Sequence, residues 1–252
     1  MTGFALSGLV HSAAAVDTPG SVSGCAAASF EGTDYVVCTA DPTSGRLRMF
    51  WKDAEGNPYR RFGALADALE SKGQSLSLAL NGGMYDTDFR PIGLYVEDGK
   101  ELRPLNKRKG PSSGPVPNFF KKPNGVFYLK ASGAGIVTTE KYAAKSKGVT
   151  FATQSGPMLV IEGKLHPALI AGSTDRTRRS GVGVCEGGTV RFAISDDAVN
   201  FHDFARLFRD ELKCRNALFL DGGNGVGLYL PEMRRNDFSW HGGYGPMFGL
   251  VD

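Results

Sequence analysis

The chain has 252 residues, 41% hydrophobic and 22% charged, with a formal net charge of +3 at neutral pH. That length holds one large domain or two small ones, and the apolar fraction supports a substantial core. The near-balanced charge, with no aromatic RNA-binding motif and no helix-turn-helix pattern, argues against nucleic acid as a partner.

Residues 4–10 are apolar and 11–15 are small, which resembles a secretory signal lacking its basic start. Residues 1–24 therefore read as a signal remnant or a disordered start. Residues 25–252 read as one domain, because no Pro-, Ser- or Gly-rich linker divides them. The expected location is periplasmic, extracellular or at the cell surface. No later stretch is long and apolar enough to span a membrane.

Residues 35–38 and 46–51 read as strands around the turn Asp41-Pro-Thr-Ser-Gly45. Phe62, Leu65, Ala66 and Leu69 recur at helical spacing, and Gly73 ends that short helix. Residues 75–80 form an apolar strand that stops at Asn81-Gly82-Gly83. Another strand, 92–96, turns at Asp98-Gly99. The segment 104–117 is a polar, proline-bearing loop with the basic run Lys107-Arg108-Lys109, either solvated or drawing an anionic substrate into a nearby cleft. Hairpins are expected over 126–138 and 181–194, and residues 158–161 turn at Glu162-Gly163. Asn200 is a good N-cap with Asp203 at N3, and Phe201, Phe204, Ala205, Phe208 and Leu212 share one helical face. That helix leads to an apolar strand, 216–220, ending at Asp221-Gly222-Gly223. If the flanking strands are parallel, this is a βαβ-like unit with Asp221 at a carboxyl edge. The fold class is α+β: a single strand-rich domain with a mixed central sheet and about two substantial helices.

Glycine pairs at strand ends give a ligand room to reach the backbone. Asp221 is the first candidate carboxylate, as general acid, base or acceptor for sugar hydroxyls; the competing reading is a turn aspartate. Asp86 and Asp88 lack the pattern of a calcium loop and read as turn carboxylates. Arg176, Arg178 and Arg179 precede a strand, and guanidinium forks match phosphate oxygens. Ser155-Gly156 lacks the G-x-S-x-G elbow of a serine hydrolase. Among the histidines, His202 is kept because its helix precedes the Asp221 strand. Cys25 with Cys38, and Cys185 with Cys214, are placed to close disulfides or to stay as buried thiols. No spacing reads as a metal site, a P-loop or a dinucleotide fingerprint, so no metal and no cofactor are expected.

Taken in order, Asn81-Gly-Gly-Met-Tyr85, Pro91-Ile-Gly-Leu-Tyr95, Pro123-Asn-Gly-Val-Phe127, Gln154-Ser-Gly-Pro-Met-Leu159, Arg179-Ser-Gly-Val-Gly183 and Leu220-Asp-Gly-Gly223 resemble the phosphodiester glycosidase family, in its bacterial YigE-like branch. The resemblance runs from about Cys25 to the C-terminus. It implies hydrolysis of a sugar-1-phosphodiester by cleavage of the glycosidic C–O bond, with a phosphorylated carbohydrate or envelope glycan as partner. Carried over by motif, Asp221 and Arg179 are catalytic, with Arg179 on the phosphate. Asn81, Gly82, Gly83, Gly222 and Gly223 line the pocket, with Asn124, Gln154 and Ser155 as neighbours. Ser180 and Pro117 depart from the branch's pattern, where Asn and Gly are expected. The second carboxylate is left among Asp86, Asp88 and Asp197. A non-catalytic glycan-binding module and an envelope structural protein are the alternative functions.

Overall fold

The structure, a computed structural model, describes residues 24–252. The expected signal remnant or disordered start lies outside these residues, apart from Gly24. Short apolar runs broken by glycine turns fold as strands in three sheets. The first has seven strands in the order Cys25–Phe30, Thr33–Ala40, Val190–Ser195, Arg179–Cys185, Cys214–Gly222, Met158–Ile161 and Lys164–Leu165. The second orders Arg235–Asn236, Leu228–Leu230, Leu76–Asn81, Met247–Val251 and Leu47–Phe50. The third orders Lys100–Arg103, Tyr95–Glu97, Phe151–Ser155, Gly125–Lys130 and Gly133–Thr138.

The expected mixed central sheet is corrected: every strand pairing among the described residues is antiparallel. The fold is mainly β with few helices. Val190–Ser195 and Cys214–Gly222 do run in the same direction, as the helix between them requires. They are not neighbours, because Arg179–Cys185 forms a hairpin with the first and keeps the slot between them, antiparallel to both. Asp221 nevertheless ends up near the carboxyl end of its strand.

Both expected helices form. Phe62–Glu70 buries Phe62, Leu65 and Leu69 against Ala79, Tyr244 and Met247 of the second sheet and its approach. Phe201–Arg206 continues as a π-helical turn, Leu207–Glu211, and the Asn200 side chain caps it by accepting from the Asp203 N–H at 2.9 Å. Its aromatic face is what makes Gly181 and Gly183 necessary. A Cβ at either would come within 2.9 Å of the Phe208 ring. The first sheet therefore carries apolar contacts on both faces: Phe204, Phe208 and Phe219 on the helix side, and Phe192, Leu218, Leu220 and Phe248 in the core shared with the other sheets. Two disulfides join register partners on the first sheet, Cys25 with Cys38 and Cys185 with Cys214.

Candidate functional site

One extra residue shapes the end of the Cys214–Gly222 strand. Gly181 pairs with Phe219 and Ser180 with Asp221, which leaves Leu220 as a bulge. Two serines take up the carbonyls that the bulge exposes. Ser155 Oγ donates to the Leu220 carbonyl at 3.0 Å, and Ser180 Oγ donates to the Asp221 carbonyl at 3.2 Å. Asn81 Nδ2 in turn donates to Ser180 Oγ at 2.8 Å, and Asn81 Oδ1 accepts from the Gly227 N–H at 3.3 Å. Asn81 and Ser180 are buried, and this chain of bonds ties the two glycine-ended strands together.

Asp221 is half-buried, with protein crowding its carboxyl while part of its surface stays open. Desolvation pushes its pKa up to about 7, against the lowering effect of the Gly222 N–H, which donates to Oδ1 at 2.8 Å. The phenol of Tyr85 is pushed up to about 12, first by burial and then by the charge of Asp221. Its hydroxyl donates to the Gly243 carbonyl at 2.8 Å. Ser239 Oγ donates to the Asn224 carbonyl at 3.0 Å, and His241 Nε2 lies 3.5 Å from Asn224 Nδ2. Tyr244 is buried against Gly227, and its hydroxyl has no hydrogen-bond partner among the described residues.

Arg179 is built differently. It is 1% exposed, and its guanidinium lies 3.6 Å from the centroid of the Phe201 ring. Nε donates to the Val199 carbonyl at 2.8 Å and a terminal nitrogen to the Asp175 carbonyl at 3.1 Å. Burial lowers its pKa to about 10. Side chains alternate along a strand, so Arg179 points to the helix side while Arg178 and Ser180 point to the other. Arg178 is 36% exposed and reaches Asp237 Oδ2 at 3.4 Å. His202 is also on the helix and meets its neighbour Asp203 at 3.3 Å.

The remaining expected residues work inside the protein. Gln154 makes four bonds: its oxygen accepts from the N–H groups of Leu94 and Asn106, and its nitrogen donates to the Asn106 carbonyl and Thr139 Oγ1. It clamps the base of the basic loop. Asn124 donates to the Phe119 carbonyl and accepts from Thr139 Oγ1 and Lys122 Nζ, each at 2.8 Å. Gly82 and Gly83 are needed for protein contacts, since a Cβ would stand 3.0 Å from the Met247 backbone or 2.7 Å from Thr153 Oγ1. Gly223 adopts φ +59, and a Cβ at Gly222 would lie 3.2 Å from the Phe219 ring. The glycine that serves the carboxylate is Gly225, where a Cβ would strike Asp221 Oδ2.

Of the other carboxylates, Asp86 and Asp88 pair with Arg90, and Asp197 accepts from the Asp34 N–H at 3.1 Å. Among the described residues, no group of three or more His, Cys, Asp or Glu side chains is placed to hold a metal ion. Lys107 and Arg108 line a cleft of about 430 Å³ with Arg103, Asn106, Phe120 and Asp86, the residue after Tyr85. Sequence reasoning placed Arg178 among three candidate arginines but chose Arg179 for the phosphate, and it did not name Asn224, Ser239 or Tyr244 as site residues. Their signals were present: Arg178 alternates with Ser180, and the other three lie in or near the glycine-rich loops flanking Asp221.

The family model for phosphodiester glycosidases matches residues 74–245, which contain every site residue described above. The chain belongs to the phosphodiester glycosidase family. The resemblance carried by the ordered motifs is thus established, and the family points to phosphodiester glycosidase-type activity on a carbohydrate. The chain is 37% identical over 184 residues to the uncharacterized protein YigE of Escherichia coli (strain K12), covering 73% of this chain and 70% of that one. Its fold is similar to the catalytic domain of zebrafish N-acetylglucosamine-1-phosphodiester alpha-N-acetylglucosaminidase, auto-inhibited by its pro-peptide. The TM-score is 0.63 at 15% identity, over 90% of this chain and 81% of that one. A hypothetical protein from Synechocystis is similar at a TM-score of 0.54 and 15% identity, over 90% of this chain and 61% of that one.

Proposed function

We propose that this family member hydrolyses a sugar-1-phosphodiester at the Asp221 pocket, breaking the bond between the anomeric carbon and the bridging oxygen. The observation that carries this reading is the partly exposed Asp221 residue at the end of a braced strand, its carboxyl held in a crowded setting that raises its pKa to about 7. A base is most effective when its pKa lies near the working pH. Asp221, as carboxylate, takes a proton from the attacking water and stabilises the positive charge that builds at the anomeric carbon. The water oxygen bonds to that carbon, and the phosphate departs with the bridging electron pair. A phosphate monoester anion leaves without a proton from the protein, so one well-placed carboxyl suffices. Arg178, half-exposed on the Asp221 side, meets the phosphate. Arg179 supports the strand from behind. The two disulfides favour an oxidising, extracytoplasmic compartment and an envelope or exported glycan as substrate.

The test is incubation with the methyl diester of N-acetylglucosamine 1-phosphate in oxygen-18 water. Label in the released sugar supports C–O cleavage. Label in the phosphate, or binding seen by calorimetry without any turnover, overturns it.

A further inference from the structure

The loop between the strands Arg235–Asn236 and Met247–Val251 is pinned at several points and yet leaves two aromatic rings bare. Arg60 donates to the Gly242 carbonyl at 2.8 Å, Tyr85 to the Gly243 carbonyl at 2.8 Å, and Ser239 to the Asn224 carbonyl at 3.0 Å. Ser239 is buried, so its neighbours turn outward. Phe238 is 60% exposed and Trp240 82% exposed, and their rings meet edge to face with centroids 5.7 Å apart. A fixed backbone presenting uncovered rings is unusual, because loop aromatics gain by burial. Phe238 also lines a cleft of about 320 Å³ with Arg61, Asp67, Asn236 and Asp237, at the start of the helix Phe62–Glu70. That volume suits one sugar ring, with Phe238 as an apolar wall for its C–H face and the Asp67 carboxylate, the Asn236 amide and the Arg61 guanidinium for its hydroxyls, while Asp237 is held by Arg235, Arg178 and the Leu228 N–H.

We propose that this cleft and the Phe238–Trp240 pair form a second sugar subsite, which takes a neutral hexose or N-acetylhexosamine ring next in line to the one cleaved at Asp221. The inference rests on the glycosidase reading for its orientation. Ser239 sits between the two rings, and the Asn224 that it bonds is three residues beyond Asp221, so the rim and the carboxyl belong to one loop assembly. The preferred substrate is therefore an oligosaccharide 1-phosphodiester, with the monosaccharide diester a minimal one.

Binding and turnover test this separately. The chain has two tryptophans, and Trp51 is only 4% exposed, so acrylamide quenching reports on Trp240. N,N′-diacetylchitobiose should protect Trp240 from acrylamide in the full chain and equally in Asp221→Asn, which reads the subsite without catalysis. Trp240→Ala should raise KM for the chitobiose 1-phosphomethyl diester at least tenfold more than KM for the single-sugar diester. Trp240→Phe should restore most of that loss. No protection by the disaccharide, protection by lipid vesicles alone, or an equal KM change on both substrates overturns the subsite. Turnover of the single-sugar diester with any of these results leaves the Asp221 chemistry standing. Its absence together with disaccharide protection removes the chemistry and keeps the subsite.

Discussion

Arg179 and Asp221 stand one rung apart on paired strands, yet their side chains leave the sheet on opposite faces. Arg179 pairs with Gly222, whose absent Cβ would point at the Phe219 ring, and the guanidinium lies over that same ring at 5.7 Å. Asp221 pairs with Ser180 and faces the second sheet. A cation and a carboxylate adjacent in the ladder thus do two different jobs. One holds the strand from the helix side, and the other meets the substrate.

Replacing Asp221 with Asn removes the base and keeps the shape. Turnover of the single-sugar diester should fall by about 100- to 10,000-fold, the usual range for a lost general acid or base. Circular dichroism should be unchanged. In the parent protein kcat/KM should rise with pH through about 7, as Asp221 ionises. A limb that falls through the same pH assigns Asp221 the role of acid instead.

The same shift makes a stability prediction. A carboxyl pushed up to about 7 holds its proton in the folded state where the unfolded chain, near the ordinary value of 3.8, has lost it. The contribution of Asp221 to stability is therefore greatest at acid pH and declines as pH rises from about 4 to 7. Asp221→Asn escapes that decline. Above neutrality it should be more stable than the parent, by up to about 4 kcal/mol if the whole shift is expressed. Urea melts at pH 5 and pH 8 measure the difference. A variant less stable than the parent at both would remove the basis for the raised pKa.

The two arginines should part company. Arg179→Met removes the Nε–H bond to the Val199 carbonyl, which keeps the Thr177 N–H as a donor, the bond to the exposed Asp175 carbonyl, and the guanidinium stacking on Phe201, at a cost of about 1–3 kcal/mol in all. Its melting temperature should drop clearly. Arg178→Ala should melt within a few degrees of the parent while raising KM for the phosphodiester, and high salt should raise the parent's KM in the same direction. Thermal melts beside Michaelis constants decide it. A stable Arg179→Met with the larger KM defect would return the phosphate to Arg179.

Gly225→Ala probes placement rather than chemistry. Gly225 does not need left-handed backbone, but an added Cβ would displace the Asp221 carboxyl. A shift of this kind should cost at least tenfold in kcat with little loss of stability, because reacting groups held about 1 Å out of place lose rate steeply. Kinetics with a parallel melt check it. Unchanged kcat would mean that the carboxyl has room to move.

Much of this was legible in the chain itself. The N-cap at Asn200 and the phenylalanine face behind it follow from local periodicity, and so do the hairpins and the carboxyl-terminal position of Asp221. The strand directions did not follow. Which strand fills the slot between Val190–Ser195 and Cys214–Gly222 is a long-range matter, and both strands look alike in sequence. Gln154, Asn124 and Ser155 enter as substrate neighbours only through the family's motifs, which carry position but not contact. The fold spends their hydrogen bonds on the loop base, on Thr139 and on the Leu220 carbonyl. The Phe238–Trp240 loop escaped notice because it has no periodicity, and only solvent exposure sets its rings apart.

The extra residue at Leu220 acts as a phase shift of half a pleat. Upstream of it, odd and even positions of the strand alternate between helix and core. Downstream the parity is reversed, so Asp221 shares the side of Leu220 instead of facing the helix. Regular pairing through Leu220, with no residue left over, would set Leu220 opposite Ser180 and Asp221 opposite Arg179, and would turn the carboxylate toward Phe201 and the Arg179 guanidinium. In this strand the chemistry depends on a count as much as on a residue type.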